Sequence, residues 1–99
     1  MVCRKNAYWM QKEDDRILEY LKNEGWATPS HIATEPAIDI SEGHIRDRLL
    51  FMWYAGLVSQ IWDDAYEITT EGLWYLEGTL DVEHQPKPTV DRVQNAISS

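Results

Sequence analysis

Start and stop signals for short helices divide this chain, and their order constrains its fold more than any other sequence feature. Gly25, Gly56 and Gly78 are natural C-terminal stops. Pro36 ends another helical pattern, because the residue before a proline is pushed out of helical geometry. The pattern predicts three short helices, then two short strands, then a further helix.

Each predicted helix begins at a recognisable N-terminal signal. The first begins near Glu13, where three consecutive acids complement the helix dipole. Thr28, followed by a proline, starts the second helix, and Ser41 caps the third, which runs to about Tyr54. Apolar residues at helical spacing are expected to face the core: Ile17, Leu18, Leu21, Ile32, Ala33, Ile45, Leu49 and Met52.

Two β-prone runs follow the third helix, at residues 57–61 and 65–68. They are separated by residues 62–64, which predicts a hairpin with a tight tip. Thr69 or Thr70 then caps the last helix. The expected fold class is α+β and mostly helical, with a three-helix core, a β-hairpin and a C-terminal helix.

The length of 99 residues fits one domain. We expect this domain at 11–80, an N-terminal arm at 1–10, and a tail or short extra helix at 81–99. No apolar run approaches the roughly 18 residues that span a bilayer, and no signal peptide is visible. Cys3 stands alone, so no internal disulfide is expected. A cytoplasmic protein without a membrane partner is the simplest interpretation.

The chain is strongly acidic, with a net charge of −8 from 9 Lys+Arg and 17 Asp+Glu. Charge of this sign weakens the long-range attraction to phosphate on which most DNA-binding domains rely. Either the partner is not nucleic acid, or the protein works at very high salt. At 1 M salt the Debye length falls to about 3 Å, and distant repulsion disappears.

Six segments, taken in order and spacing, carry a resemblance to a known family. They are DDRILE at 14–19, TPSHIA at 28–33, AGLV at 55–58, YEIT at 66–69, Gly72, and YLEGTLD at 75–81. With these segments the chain resembles the repressor-like winged helix proteins of haloarchaea and their phages, the phage phi-H repressor family. The resemblance implies a winged helix-turn-helix fold, with the hairpin as the wing.

The resemblance also implies a DNA-binding regulator, commonly dimeric, whose third helix reads the DNA. By position, the residues that would meet DNA are Ser41, Glu42, Gly43, His44, Arg46, Asp47 and Arg48. Family members usually carry basic or small polar groups there, and Glu42 and Asp47 depart from that pattern. The tip residues Asp63 and Asp64 depart from it too, and no Lys or Arg occurs between Leu49 and Pro86.

Several of these side chains have two interpretations. Arg46 and Arg48 are candidates to donate to guanine edges or phosphates, since arginine is the commonest base-reading side chain. For Arg46 the alternative is an intrahelical ion pair, because Glu42 lies four residues before it. Glu42 and Asp47 can accept from cytosine, or can remain solvated or paired carboxylates. His44 is either a polar DNA contact or an ordinary surface histidine.

Two further groups are candidates for phosphate contacts. Thr28 and Ser30 can present hydroxyls and backbone N–H groups at the start of the second helix, although capping alone also explains them. Arg4 and Lys5 belong to the densest positive cluster, which can follow the DNA backbone or enter a minor groove. A disordered tail is the alternative for that cluster.

More aromatic side chains are present than a core this small can hide. Trp9, Trp74 and Tyr75 are therefore candidates for a dimer interface, where aromatics are enriched. No enzyme is indicated, because the chain has neither a Gly-rich phosphate loop nor a Ser/His/Asp or Cys/His arrangement. The histidines and Cys3 lack metal-ligand spacing, so neither a metal nor a cofactor is expected.

Two functions of different class remain open. The first is a homodimeric, repressor-like transcriptional regulator of a high-salt cytoplasm, whose third helix reads the major groove of double-stranded DNA. The second is a winged helix that serves as a protein–protein interaction module and does not bind DNA. The acidic hairpin tip, together with Glu42 and Asp47, favours a basic protein partner for this second function.

Overall fold

The computed structural model describes Arg4 and residues 7–82. Four helices and one two-stranded antiparallel sheet follow one another in the predicted order. They are α1 (Lys12–Glu24), α2 (Pro29–Ile32), α3 (Glu42–Tyr54), β1 (Val58–Gln60), β2 (Tyr66–Ile68) and α4 (Thr70–Glu77). The predicted α+β winged helix architecture is confirmed, with boundaries within one or two residues of those expected for most elements.

Side-chain caps explain where three of the helices begin. The hydroxyls of Thr28, Ser41 and Thr69 each accept a hydrogen bond from the backbone N–H three residues later. Of the two threonines that the sequence offered for α4, Thr69 is therefore the cap. At the other end of α4, Gly78 adopts a φ of 82°, in the left-handed region that favours glycine.

The core contains the apolar residues that helical spacing predicts, with one exception. Ile17, Leu21, Ile45 and Leu49 have no exposed surface, and the remaining predicted residues apart from Ala33 are buried with them. Ala33 is exposed, contrary to the prediction, because α2 is a single turn that ends at Ile32 and leaves Ala33 outside it.

The core extends beyond both expected ends of the domain. Ala7, in the predicted N-terminal arm, is 4% exposed, and Val82, in the predicted tail, is 1% exposed. Both belong to the same hydrophobic cluster as the helices. The domain therefore includes residues on either side of 11–80, and the short helix predicted at 90–97 lies outside the described residues. No helix in the described part of the chain has the length and apolarity needed to cross a membrane.

The hairpin is attached to the segment that follows α1 at Tyr66, the first residue of β2 after the tip. Within the hairpin, Ser59 pairs with Glu67 in antiparallel register. Ala27 and Tyr66 exchange two backbone hydrogen bonds, of 3.0 and 2.9 Å. Near this bridge the rings of Trp26 and Trp62 meet edge to face, with centroids 5.5 Å apart. The position of the hairpin is therefore set partly by the end of α1.

Tyr75 joins α4 to α1. Its ring is fully buried, and its hydroxyl donates a 2.6 Å hydrogen bond to Asp15. The prediction that Tyr75 contributes to a dimer interface is therefore wrong, because the side chain has no surface to offer. The neighbouring Trp74 is 47% exposed. Burial, followed by the hydrogen bond to Asp15, raises the pKa of the Tyr75 hydroxyl.

We expect Gly72→Ala to destabilise the protein and Gly43→Ala to stabilise it slightly. A Cβ atom at Gly72 would clash with the carbonyl oxygen of Leu57 and lie 2.6 Å from Cγ1 of Ile68, whereas a Cβ at Gly43 meets nothing within 4 Å. Overpacking of this kind costs about 1–3 kcal/mol. Alanine in place of an exposed helical glycine contributes up to about 1 kcal/mol. Urea unfolding of both variants measures the difference, and equal stabilities would contradict this packing of α4 on the hairpin.

We also expect alkaline pH to destabilise the fold through Tyr75. Because its pKa is raised in the folded state, the unfolded chain loses this proton first, above pH of about 10. The unfolding free energy then falls by up to about 1.4 kcal/mol per pH unit for this group. Burial also raises the pKa of Tyr66, so Tyr75→Phe should reduce the alkaline slope without abolishing it. Unfolding between pH 8 and 12 tests this, with Tyr20→Phe as the control for loss of a partly exposed tyrosine. An unchanged slope in Tyr75→Phe would contradict the assignment.

Candidate nucleic-acid interface

The outward face of α3 is the surface that helical spacing predicts. Ile45, Leu49 and Met52 point into the core and have no exposed surface. The predicted contact residues at the start of the helix and along its outer side are exposed: Ser41, Glu42, Gly43, His44 and Asp47. Gly43 has open space around it, so a neighbouring molecule can approach the backbone of the first turn closely.

Arg46 lies on this face between two carboxylates. Its Nη2 atom is 3.5 Å from Oε2 of Glu42, one helical turn earlier, as the sequence spacing predicts. Its Nη1 atom donates to Oδ1 of Asp64, at the tip of the hairpin. The hydrogen bond to Asp64 raises the pKa of Arg46 above its ordinary value. The cation is therefore neutralised within the molecule, while 40% of its side chain remains exposed.

A shallow cavity of about 370 Å³ separates α3 from the hairpin. Leu50 and Trp53 contribute from α3, Tyr66 from β2, and Arg46 and Asp64 together bridge the two elements. The ion pair between Arg46 and Asp64 thus links the hairpin tip to α3 across the cavity. The surface formed by the outward face of α3 and the hairpin tip is called the α3–hairpin surface below.

Arg48 does not belong to that surface, and the prediction that it reads DNA is wrong. It is 6% exposed, and its Nε and Nη2 atoms donate to the two carboxylate oxygens of Asp14 at 2.9 and 2.8 Å. Nη2 also donates to the carbonyl oxygen of Trp9, and the guanidinium lies 4.9 Å from the ring centre of Phe51. Arg48 follows Ile45 by three residues and precedes Met52 by four, which places it on the buried side of α3.

The acids at the start of α1 have specific partners that the sequence interpretation missed. Asp14 is fully buried; besides Arg48, it accepts a 3.0 Å hydrogen bond from the backbone N–H of Gln11. Asp15 accepts from the hydroxyl of Tyr75 and from Arg4. Helix-dipole complementation explains acids at these positions in general, but it does not explain why one of them is completely buried.

Arg4 is also used within the fold. Its three guanidinium nitrogens donate to Asp15, to Glu19 and to the carbonyl oxygen of Leu76, at 3.1, 3.3 and 3.1 Å. Arg4 therefore fixes the N-terminal segment to α1 and α4, and its contact with DNA stays a prediction. Lys5, the second candidate of that cluster, lies outside the described residues.

Thr28 and Ser30 form a local hydroxyl pair at the start of α2. Their oxygens are 3.0 Å apart, and that of Thr28 also accepts from the N–H of His31. Capping thus accounts for Thr28 fully, while Ser30 is exposed. Contact of either hydroxyl with phosphate stays a prediction.

Comparison with known proteins identifies a solved structure that is similar to this chain. No protein-family model matches the chain, and no curated protein matches it. Among solved structures, the crystal structure of the PhiH1 repressor-like protein from Haloarcula marismortui is similar, with a TM-score of 0.83 and 31% sequence identity. The match covers 89% of this chain and 100% of that chain. This chain belongs to the PhiH1 repressor-like family. The resemblance predicted from its sequence segments is confirmed.

Two contacts of this PhiH1 repressor-like chain were not predicted from its sequence. Asp64 lies 18 residues from Arg46, and Asp14 lies 34 residues from Arg48. No local spacing rule relates residues so far apart. For Arg48 the available signal was its place on the apolar side of α3, where a charge needs a buried partner.

Among the described residues of this family member, no three His, Cys, Asp or Glu side chains are grouped as a metal ion requires. The acids of the α3–hairpin surface are spread along it, and two of them are occupied by Arg46. The charged groups of this surface are therefore separate carboxylates and one arginine that is paired with two of them.

We expect Arg48→Met to destabilise this repressor-like chain far more than Arg46→Met. The first change leaves Asp14 buried without its partner, which costs about 3–5 kcal/mol. The second removes partly exposed ion pairs that contribute about 1 kcal/mol or less each. Because the two positions lie on the same helix and receive the same substitution, each variant controls for the other. Urea unfolding in KCl measures both, and equal losses would contradict the buried position of Arg48.

Proposed function

We propose that this chain is a repressor-like, DNA-binding transcriptional regulator that works as a homodimer. In this proposal α3 enters the major groove and the hairpin lies against the adjacent backbone. The observation that carries it is the likeness to the PhiH1 repressor-like protein, which extends over the whole of that chain at a TM-score of 0.83. The exposed first turns of α3 support it, because a helix of this width fits the major groove.

Side chains at the start of α3 supply the short-range contacts of this proposal. Ser41 and His44 are exposed and polar, and the open space at Gly43 lets a base edge or phosphate come close. Arg46 donates to a guanine or a phosphate once it leaves its carboxylates. Glu42 and Asp47 accept from the amino group of cytosine. Outside α3, Ser30, Thr28 and Lys5 are candidates for phosphate contacts.

High salt reconciles DNA binding with the negative charge of the protein. At multi-molar salt the repulsion between phosphate and the acids of the surface acts over only about 3 Å or less. Binding then depends on hydrogen bonds and shape, because little is gained from counterion release. The relative from Haloarcula marismortui supports a high-salt setting for this chain as well.

Dimerisation would use a surface away from α3. A symmetric pair of winged helices presents two reading helices to half-sites one DNA turn apart, about 34 Å. Trp74 on α4 is 47% exposed, more than expected for a large aromatic side chain in a core. It remains a candidate for the dimer interface, with the half-buried Trp9.

A protein–protein interaction module is the second candidate function. Four acids, Glu42, Asp47, Asp63 and Asp64, belong to the α3–hairpin surface, and its cation Arg46 is already paired. Such a surface complements a basic protein better than a phosphate backbone. In this case the winged helix would bind a cationic partner and select no DNA.

Selection from random duplex DNA, repeated from low to multi-molar KCl, separates these functions. We expect enrichment of one site built from two related half-sites, with binding followed by tryptophan fluorescence. Arg46→Ala should weaken binding to that site by roughly 5- to 150-fold, which corresponds to about 1–3 kcal/mol for one base-reading arginine. Its melting temperature should stay near that of the unmodified protein.

Arg16→Ala is the matched control, because Arg16 is an exposed arginine of α1 whose ion pair is with Glu19. This variant should bind the selected site as the unmodified protein does. Equal losses in both variants would remove Arg46 from the reading surface. Absence of any selected site at every salt concentration, together with a stable basic partner, would move the function to the protein-binding alternative.

A further inference from the structure

Two arginines of α3, two residues apart, are held in opposite ways. Arg48 is bound by both oxygens of the buried Asp14, and the side chains of the two partners are 7% and 0% exposed. Arg46 is held by Glu42 and Asp64, whose side chains are 51% and 46% exposed. Water reaches the second group, and exposed ion pairs are weak enough to exchange partners. Arg46 is therefore paired but releasable, whereas Arg48 is fixed.

The two carboxylates occupy Arg46 as a DNA phosphate would. Carboxylate and phosphate oxygens both accept hydrogen bonds from the guanidinium group. Glu42 approaches along α3 and Asp64 approaches across the cavity from the hairpin, so they contact Nη2 and Nη1 respectively. A phosphate that takes either of these donor positions displaces the acid that holds it, and the displaced acid stays close enough to repel it.

We propose that Glu42 and Asp64 are specificity-determining residues that compete with DNA for Arg46 and suppress its binding to non-specific sequences. The inference rests on the proposed DNA-binding function of the α3–hairpin surface. Because both acids are part of the same chain, they compete at a high effective concentration that dilution does not reduce. A lone phosphate offers Arg46 little more than the acids already do. A correct site adds base contacts from the rest of α3, and these offset the displacement.

The distribution of cations in the sequence restricts this competition to Arg46. The sequence from Leu49 to Pro86 contains no Lys or Arg, so neither the hairpin nor α4 offers a second cation that a phosphate can approach. Asp63 is adjacent to Asp64 and exposed, but the ion pair to Arg46 is made by Asp64. Asp63 therefore carries the same charge at almost the same place without the same contact.

Asp64→Asn and Asp63→Asn form the matched test, because both remove one negative charge from the hairpin tip. Each is measured against a random-sequence duplex and against the site selected by the unmodified protein, at several KCl concentrations. We expect Asp64→Asn to strengthen binding to the random duplex by about fivefold more than Asp63→Asn does, which is the scale of one exposed ion pair. Binding to the selected site should gain less, so the specificity ratio falls.

Glu42→Gln tests the same competition from the α3 side, should Asp64→Asn disturb the hairpin, and it should also strengthen binding to the random duplex. Side-chain nitrogen NMR of Arg46 gives a direct readout, since release from Asp64 shifts its guanidinium signals. Arg46→Ala combined with Asp64→Asn should lose the extra affinity for the random duplex.

Three results would overturn the inference. Equal gains from Asp64→Asn and Asp63→Asn would show that overall charge, and not the contact with Arg46, controls non-specific binding. A gain that persists in the Arg46→Ala background would show that another group is released. Failure of the unmodified protein to select any DNA is a different outcome: it would remove the proposed function itself, and this inference with it.

Discussion

The buried ion pair between Arg48 and Asp14 is the contact on which the arrangement of α1 and α3 depends. Each charge has left water almost completely, so each requires the other, and their two hydrogen bonds of 2.9 and 2.8 Å fix the relative rotation of the helices. The carbonyl oxygen of Trp9 accepts a third hydrogen bond from the guanidinium and brings the N-terminal segment into the same contact. With the buried side of α3 fixed in this way, its opposite side, which carries Glu42, Gly43 and Asp47, faces outward.

Local chemistry made most of the fold predictable from the sequence. Thr28, Ser41 and Thr69 each cap the helix that they precede, and a cap depends on residues only three positions apart. Ala33 was misassigned because the sequence did not show that α2 stops after a single turn. The site was harder to predict for a related reason. Arg46 and Arg48 look alike in the sequence, and their different environments depend on carboxylates 18 and 34 residues away.

Membership of the PhiH1 repressor-like family and an acidic α3–hairpin surface are compatible once the acids are considered one by one. Asp14 and Asp15 accept hydrogen bonds within the fold, from Arg48 and Tyr75 respectively. Glu42 and Asp64 occupy Arg46, while Asp47 and Asp63 are exposed. Each internal ion pair uses a cation as well as an acid, so the net charge of −8 stays with the remaining side chains, and high salt limits the range of its repulsion.

The bridge between Ala27 and Tyr66 has a consequence for how this hairpin can change over evolution. Strands of three residues are too short to hold a hairpin in place alone, and the bridge gives β2 a second neighbour in the segment that follows α1. Register is thus secured at the end of the strands next to the tip, two residues after Asp64. Exposed loop tips tolerate insertions and substitutions best. Because the bridge uses backbone groups only, the side chains at 63 and 64 can change their charge without loss of the bridge, and new binding preferences can arise there at little structural risk.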